Sequence, residues 1–499
     1  MTAMPRCRHR RALARSARPG CIVLCSLLLA SCGLVDWLGG RQPKPQLCDQ
    51  HPDDARCGQG HPDAAADAPQ PDADPRCHSN AACPAPTPVC DLTGSMVCVQ
   101  CEAPDQTAAC TGTTPTCSVD HTCQPCTKHQ DCLLSSACMA DGSCAAPEDV
   151  AYVDPATGAG TTCSRAAPCK AVADALATPH AIVKLTGMID EPVEIGDRNV
   201  TVLADPGTQL TRTSPGVILT ISGSSVVQIF DLTITNGLGS TGIGISLPLG
   251  NTASLTLSRA SLTNNAGGGI VAMGATVTLR ESTVSNNAGG GIVASTGLLT
   301  VLQSTIAANP GGGISANAGA VTISRSVITG PSQHGISISG SQFDITNSLI
   351  AGNGGPLTVL GGVRLDQTNS GTRRFEFNTV TNNSAIDGAT VGVVCTLISQ
   401  PLTFSNNIVY ANQIGGTRTQ VSGTNCNWSF SDIGPGMVTG TGNIDADPLF
   451  VNSIKNDFHL QSTSPARDKA ASNATATVDI DGDARPQGNG FDMGADEIK

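Results

Sequence analysis

Arg364, Asp366, Arg374 and Glu376 form the densest ionic group on the repetitive part of this chain. Arg364 alternates with Asp366 and Arg374 with Glu376, so on extended backbone each pair projects to one side. Arginine beside carboxylate suits binding an acidic polymer, or cleaving it with Arg as the base and acidic groups holding Ca²⁺. The plainer reading is a solvated lattice of ion pairs worth less than about 1 kcal/mol each. Repeat phase puts the two strands on different faces, which weakens a shared site. Glycosidic hydrolysis needs two carboxylates roughly 5–10 Å apart. Between Ala253 and Ala351 the only acids are Glu281 and Asp344. They stand nearly three repeats apart, about 14 Å at ~4.8 Å per layer, and form no dyad. His334 takes the place held by Gly268, Gly290 and Gly312 in earlier repeats, and an exposed turn histidine is expected there. Asp479, Asp481 and Asp483 around Gly482 offer alternating oxygens suited to Ca²⁺. The position-12 Glu of an EF-hand loop is replaced by Gly490, so the competing reading is a structural terminal loop with no cofactor.

The groups that could do chemistry are few, and the N-terminus says where they would work. Arg6, Arg8, Arg10, Arg11, Arg15 and Arg18 precede the apolar run Cys21 to Ala30, too short to span a bilayer and shaped like a secretory signal. It ends in Leu29-Ala30-Ser31-Cys32, which resembles the lipobox of bacterial lipoproteins. That resemblance implies removal of residues 1–31, acylation of Cys32, and anchoring in the outer membrane through buried acyl carbons. Gly33, rather than Asp, follows. The formal charge is −12 even with these arginines counted. Nucleic acid is therefore excluded as a partner, since phosphate binding needs a basic footprint.

Residues 32–76 are rich in Pro, Asp and Ala with almost no large apolar residue, and read as an extended tether. Residues 77–147 carry twelve cysteines in three blocks of four: Cys77, Cys83, Cys90, Cys98; Cys101, Cys110, Cys117, Cys123; and Cys126, Cys132, Cys138, Cys144. Cys98-x-x-Cys101 and Cys123-x-x-Cys126 have zinc-ligand spacing, but exported thiols are expected to oxidise, and blocks this small need bridges to fold. The connectivity within each block stays open. Cys163 with Cys169, Cys395 with Cys426, and Cys48 with Cys57 account for the remaining mature thiols besides Cys32.

From Ala253 to about Gly352 the chain repeats every 22 residues. One phase reads Leu257, Leu279, Val301, Ile323, Ile345; another reads Leu262, Val284, Ile306, Ile328, Ile350. Three short β-branched runs per period, separated by Gly- or Asn-containing turns, cannot bury their aliphatics alone. Stacking puts each over its equivalent in the next repeat. The expected fold is all-β: a parallel β-helix of about ten coils over residues 200–450, behind a disulfide-rich stalk; the resemblance given below implies the right-handed form. Residues 148–199 form an N-terminal cap with a short helix between Pro168 and Ala177, and residues 451–499 a C-terminal cap segment, since open β edges must be covered.

Tyr152-Val153-Asp154-Pro155 through Cys163 to Val172 resembles the entry of right-handed parallel β-helix (pectate-lyase-like) proteins of bacterial surfaces. Asp447-Pro448-Leu449-Phe450, Ser464-Pro465-Ala466-Arg467-Asp468 and Asp492-Met493-Gly494-Ala495-Asp496-Glu497 are similar to that group's closing signature. His334-Gly335-Ile336 also resembles a strand of polygalacturonase-type hydrolases, but Gln333 replaces the leading Gly and no Asp-Asp pair accompanies it. The group includes lyases, hydrolases and non-catalytic surface proteins. The resemblance, with the bare coils, implies a surface-anchored lipoprotein whose β-helix binds or scaffolds an extracellular polysaccharide or surface protein. The rival is a polysaccharide lyase or glycoside hydrolase acting on uronate-type polymers.

Overall fold

The computed structural model describes residues 76–92, 94–102, 109–366, 371–386, 391–398, 400–414 and 420–499. The export signal, Cys32, Cys48, Cys57 and nearly all of the tether lie outside the described residues.

The period-22 aliphatics stack as expected. Leu257, Leu279, Val301, Ile323 and Ile345 are successive partners in parallel ladders, and so are Leu262, Val284, Ile306, Ile328 and Ile350. All ten are at most 1% exposed. Each coil of this parallel β-helix visits three sheets in turn. Among the described residues, sheet I has twelve strands, from Val150–Val153 to Cys426–Ser429. Sheet II has eleven, from Met188–Asp190 to Asp432–Gly434, and sheet III has ten, from Val193–Gly196 to Val421–Gly423.

Two corners set the geometry. Between sheets I and II the chain turns on a non-glycine residue in the left-handed region: Arg259 (φ 52), Glu281 (φ 48), Gln303 (φ 49), Arg325 (φ 50) and Asn347 (φ 48). Ser282, Ser304 and Ser326 follow them, and each backbone N–H donates to the serine hydroxyl one coil on. Between sheets II and III, buried asparagines form a ladder. The N–H and side-chain amide of Asn265 donate to Asn287 Oδ1, and those of Asn287 to Asn309 Oδ1, at 3.0–3.1 Å.

The N-terminal lid is a helix at Val172–Ala177 with Val172 and Ala175 buried, behind a Cys163–Cys169 bridge. Cys395 and Cys426 are also joined, 6.4 Å apart at Cα. At the other end, Ile444 pairs with Asp432 and covers the last strand of sheet II. The segment beyond residue 448 does not cap the end; it lies along the flank of sheet II. Gly494 N–H donates to Asn406 O at 2.8 Å and Ala495 N–H to Thr379 Oγ1 at 3.0 Å. The reason lies in the outward row of sheet II, which runs Thr283, Thr305, Val327, Leu349, Thr379, Ile408. From Val327 onward the row is apolar except for Thr379 and needs cover, which Met493 and Leu460 give to Ile408.

The three cysteine blocks share one connectivity, first to third and second to fourth: Cys77–Cys90 with Cys83–Cys98, Cys101–Cys117 with Cys110–Cys123, and Cys126–Cys138 with Cys132–Cys144. The third block is not a free spacer. Ala137 packs with Val150, Tyr152, Leu203 and Phe230 in a satellite core, Tyr152 Oη donates to Ser135 O at 2.8 Å, and the Arg165 guanidinium donates to Leu133 O. His129 is buried in this contact, its Nδ1 accepting the Cys138 N–H at 3.1 Å. Burial pushes its pKa down to about 4, helped by Lys184 and Arg259 and opposed by Asp231 and Asp205. The ring is neutral when docked and titrates near its ordinary 6.5 when released. Docking is therefore at full strength above about pH 6.5 and weakens as pH falls toward 4. Hydrogen exchange over residues 126–144, corrected for intrinsic rate, is expected to lose protection on going from about pH 7.5 to about pH 4.5 in the wild type but not in His129→Leu. Equal loss in both would show that another group governs docking.

Candidate functional site

Sheet I presents the most regular outer surface of the coils. Thr256, Thr278, Thr300 and Thr322 are direct partners on four neighbouring coils, and Asp344 and Arg374 continue the row. The methyls and hydroxyls of this row repeat at the ~4.8 Å layer spacing. Where the row becomes ionic it is already closed, because Arg374 Nε and Nη2 donate to the two oxygens of Asp344 at 2.7 and 2.8 Å. Glu376, adjacent in sequence phase to Arg374, instead accepts from Ser405 Oγ at 3.1 Å and Asn406 Nδ2 at 2.8 Å.

Arg364 and Asp366 sit on sheet III, bonded to each other at 2.8 Å. The four residues therefore divide between two sheets, as the repeat phase indicated, and each is engaged locally. His334 is not an exposed turn residue. Its ring stands over Gly312, where a Cβ would come within 2.5 Å of it, and its Nε2 lies 2.9 Å from Ser315 Oγ. Burial pushes its pKa down, so it is neutral at pH 7. Among the described residues the ring's hydrogen bonds are to Ser315 Oγ and to the backbone of Ile314, and no carboxylate bonds to it.

A cleft of about 320 Å³ lies between the coils and the returning C-terminal segment. The coils contribute Gln303, Thr305 and Arg325 and the apolar Val327 and Leu349; the segment contributes Asn456, Phe458, His459, Asp481 and Asp496. His459 Nδ1 lies 2.6 Å from Asp457 Oδ1 and Nε2 lies 2.9 Å from Asp481 Oδ2. Burial opposes its charge, but these carboxylates prevail and hold its pKa up at about 9. Asp496 is nearly buried and its Oδ2 accepts the Leu460 N–H at 2.7 Å; burial pushes its carboxyl above the usual range. The sequence signal for this cleft is the apolar turn of the sheet II row, since outward Val327 and Leu349 imply a covering segment.

Side-chain oxygens of Asp479, Asp481 and Asp483 lie within 4.8 Å of one another. Asp479 Oδ1 accepts the N–H groups of Asp481, Gly482 and Asp483, and its Oδ2 that of Glu497. Asp481 is bonded to His459, and Asp483 lies 2.9 Å from Lys499 Nζ. Four backbone donors on one carboxylate are the construction of a tight loop, and Gly482 supplies the positive φ of 95° it needs. Next to it, Arg485 and Glu497 form a fully buried pair at 3.1 Å.

The profile of the family described as "Right handed beta helix region" matches residues 215–362 and 293–447. Among solved structures, pectate lyase Pel9A is similar at 13% identity and a TM-score of 0.38, with 70% of this chain and 96% of that one covered. The Dettilon tailspike protein (gp208) is similar at 13% identity and a TM-score of 0.35, with 57% of this chain and 61% of that one covered. No curated protein matches the chain. Residues 215–447 of this chain are similar to that right-handed β-helix family, and the structure over them is a parallel β-helix.

Proposed function

We propose that this is an exported protein, anchored through an acylated Cys32, whose β-helix binds an extracellular polysaccharide along sheet I without cleaving it. The observation that carries this reading is the in-register row Thr256, Thr278, Thr300 and Thr322. Such a row offers one hydroxyl and one methyl per layer to a long, repetitive ligand. The ionic groups nearest to it are paired internally, so they take no part in acid–base chemistry, and no cofactor enters the reading.

The test exposes the mature chain to a panel of pectins and other uronate polymers, following retention, unsaturated product and new reducing ends. Retention without product is expected. Thr278→Ala/Thr300→Ala removes two hydroxyls worth about 0.5–1.5 kcal/mol each and should weaken retention about tenfold. Unsaturated product or reducing ends would establish the lyase or hydrolase instead. Retention untouched by the double substitution would move the binding face off sheet I.

A further inference from the structure

Most arginines described on the coils have a bonding partner. Arg259 bonds to Asp231, Arg364 to Asp366 and Arg374 to Asp344; Arg198 and Arg212 donate to backbone carbonyls. Arg325 differs. It is held at the I–II corner by a left-handed backbone (φ 50), its Nε is buried with no hydrogen-bond partner, and it has no ion pair among the described residues. One edge of its guanidinium lies against Gly482, where a Cβ would come within 2.4 Å of Nη2. A side chain there would push the guanidinium away.

Arg325 also lines the 320 Å³ cleft described above, a volume suited to one sugar ring. The second cation in the cleft, His459, is already compensated by Asp457 and Asp481. His459 with its two aspartates leaves no positive charge over, so the cation open to a ligand is Arg325, which has no ion pair among the described residues. A guanidinium matches a carboxylate through two parallel N–H bonds, and a buried donor left unmade costs about 1–3 kcal/mol. The rest of the lining is amphipathic. Gln303, Thr305 and Asn456 offer donors and acceptors, Val327, Leu349 and Phe458 an apolar wall, and Asp481 and Asp496, bonded to His459 and to the Leu460 N–H, stand on the segment's side.

We propose that this cleft binds a hydroxylated monocarboxylate about the size of one sugar ring, its carboxylate on Arg325 and its hydroxyls on Gln303, Thr305 and Asn456. The site is separate from the threonine row of sheet I, and stands whether or not that face holds a polymer.

The test is calorimetric titration of the full mature chain with glucuronate, open-chain gluconate, neutral glucose and inorganic sulfate. Either carboxylate should bind, the ring-closed one more tightly if a sugar acid is the source and the open-chain one if an aliphatic acid is. Glucose should bind at least tenfold more weakly, because it has no carboxylate. Arg325→Gln should reduce affinity at least tenfold and Arg325→Lys less, with thermal midpoints close to wild type because the side chain has no ion pair among the described residues to lose. Equal affinity in Arg325→Gln, no heat with either carboxylate, or sulfate binding as tightly as the carboxylates would each overturn the proposal.

Discussion

Replacing Glu497 by Ala should destabilise the C-terminal segment by about 3–5 kcal/mol, the usual cost of stranding one member of a buried ion pair. Neither side chain of the Arg485–Glu497 pair is solvent-exposed. Arg485 also donates to Asp492 O at 3.0 Å and Gly494 O at 2.8 Å, and its guanidinium stands 4.7 Å from the centre of the Phe377 ring. Glu497 accepts the N–H groups of Gln487 and Asp492. Its loss leaves one buried and one part-buried donor unsatisfied besides an uncompensated cation. The loss should be local, since in a stack of repeats each layer depends mainly on its neighbours. Denaturant unfolding should show an early transition that exposes residues beyond 448 while the coils keep their β signal. Arg485→Met/Glu497→Leu, which removes both charges together, should recover most of the stability. A single substitution costing less than about 1 kcal/mol would mean that water reaches the pair.

Asn287→Ala should cost about 3 kcal/mol or more, this time in the coils themselves. Asn287 is wholly buried and takes part in four side-chain bonds. Its Oδ1 accepts from Asn265 N and Nδ2, both at 3.0 Å, and its Nδ2 donates to Leu262 O at 3.0 Å and Asn309 Oδ1 at 3.1 Å. Alanine removes all four bonds inside the rod: the Asn265 main-chain N–H loses its acceptor, Leu262 O loses a donor, and the Asn265 amide and Asn309 Oδ1 keep only Ile234 O and the residue 287 N–H, at about 1–3 kcal/mol for each buried group left unmade. Asn287→Asp should be no better, because it keeps the acceptors but brings a charge into the interior. Thermal unfolding of both variants beside Thr278→Ala, which alters only the outer face, measures the difference. Similar midpoints for Asn287→Ala and Thr278→Ala would show that the ladder is dispensable.

The coils were legible because their information is local and repeated. Leu257 and Leu279 announce a stack through spacing alone, and the structure pairs them directly. The asparagine ladder was visible only as turn composition. That Asn265 bonds to Asn287 follows from coil registry, which the sequence shows only once the stack is accepted. Arg374 was read beside Glu376 because strand alternation suggested it, whereas its partner is Asp344. The coil between them is longer than 22 residues, so the repeat phase did not bring the two together on paper. The cleft was the least legible part. Arg325 lies in the regular coils and His459 far along the chain, and only the folded return of the last segment brings them to one wall. The same return explains why the closing segment, expected as an end cap, lies on a flank: its apolar residues match a row on sheet II that had already ceased to be polar.

The crossed bridging of the cysteine blocks has a mechanical consequence. Because Cys77–Cys90 and Cys83–Cys98 overlap, as do their counterparts in the next two blocks, tension applied along the backbone bypasses most of each block through sulfur. Shear can loosen the short strands without paying out much slack. The three cysteine blocks thus extend little under load while oxidised, and pay out the rest of their length only when a reductant reaches them.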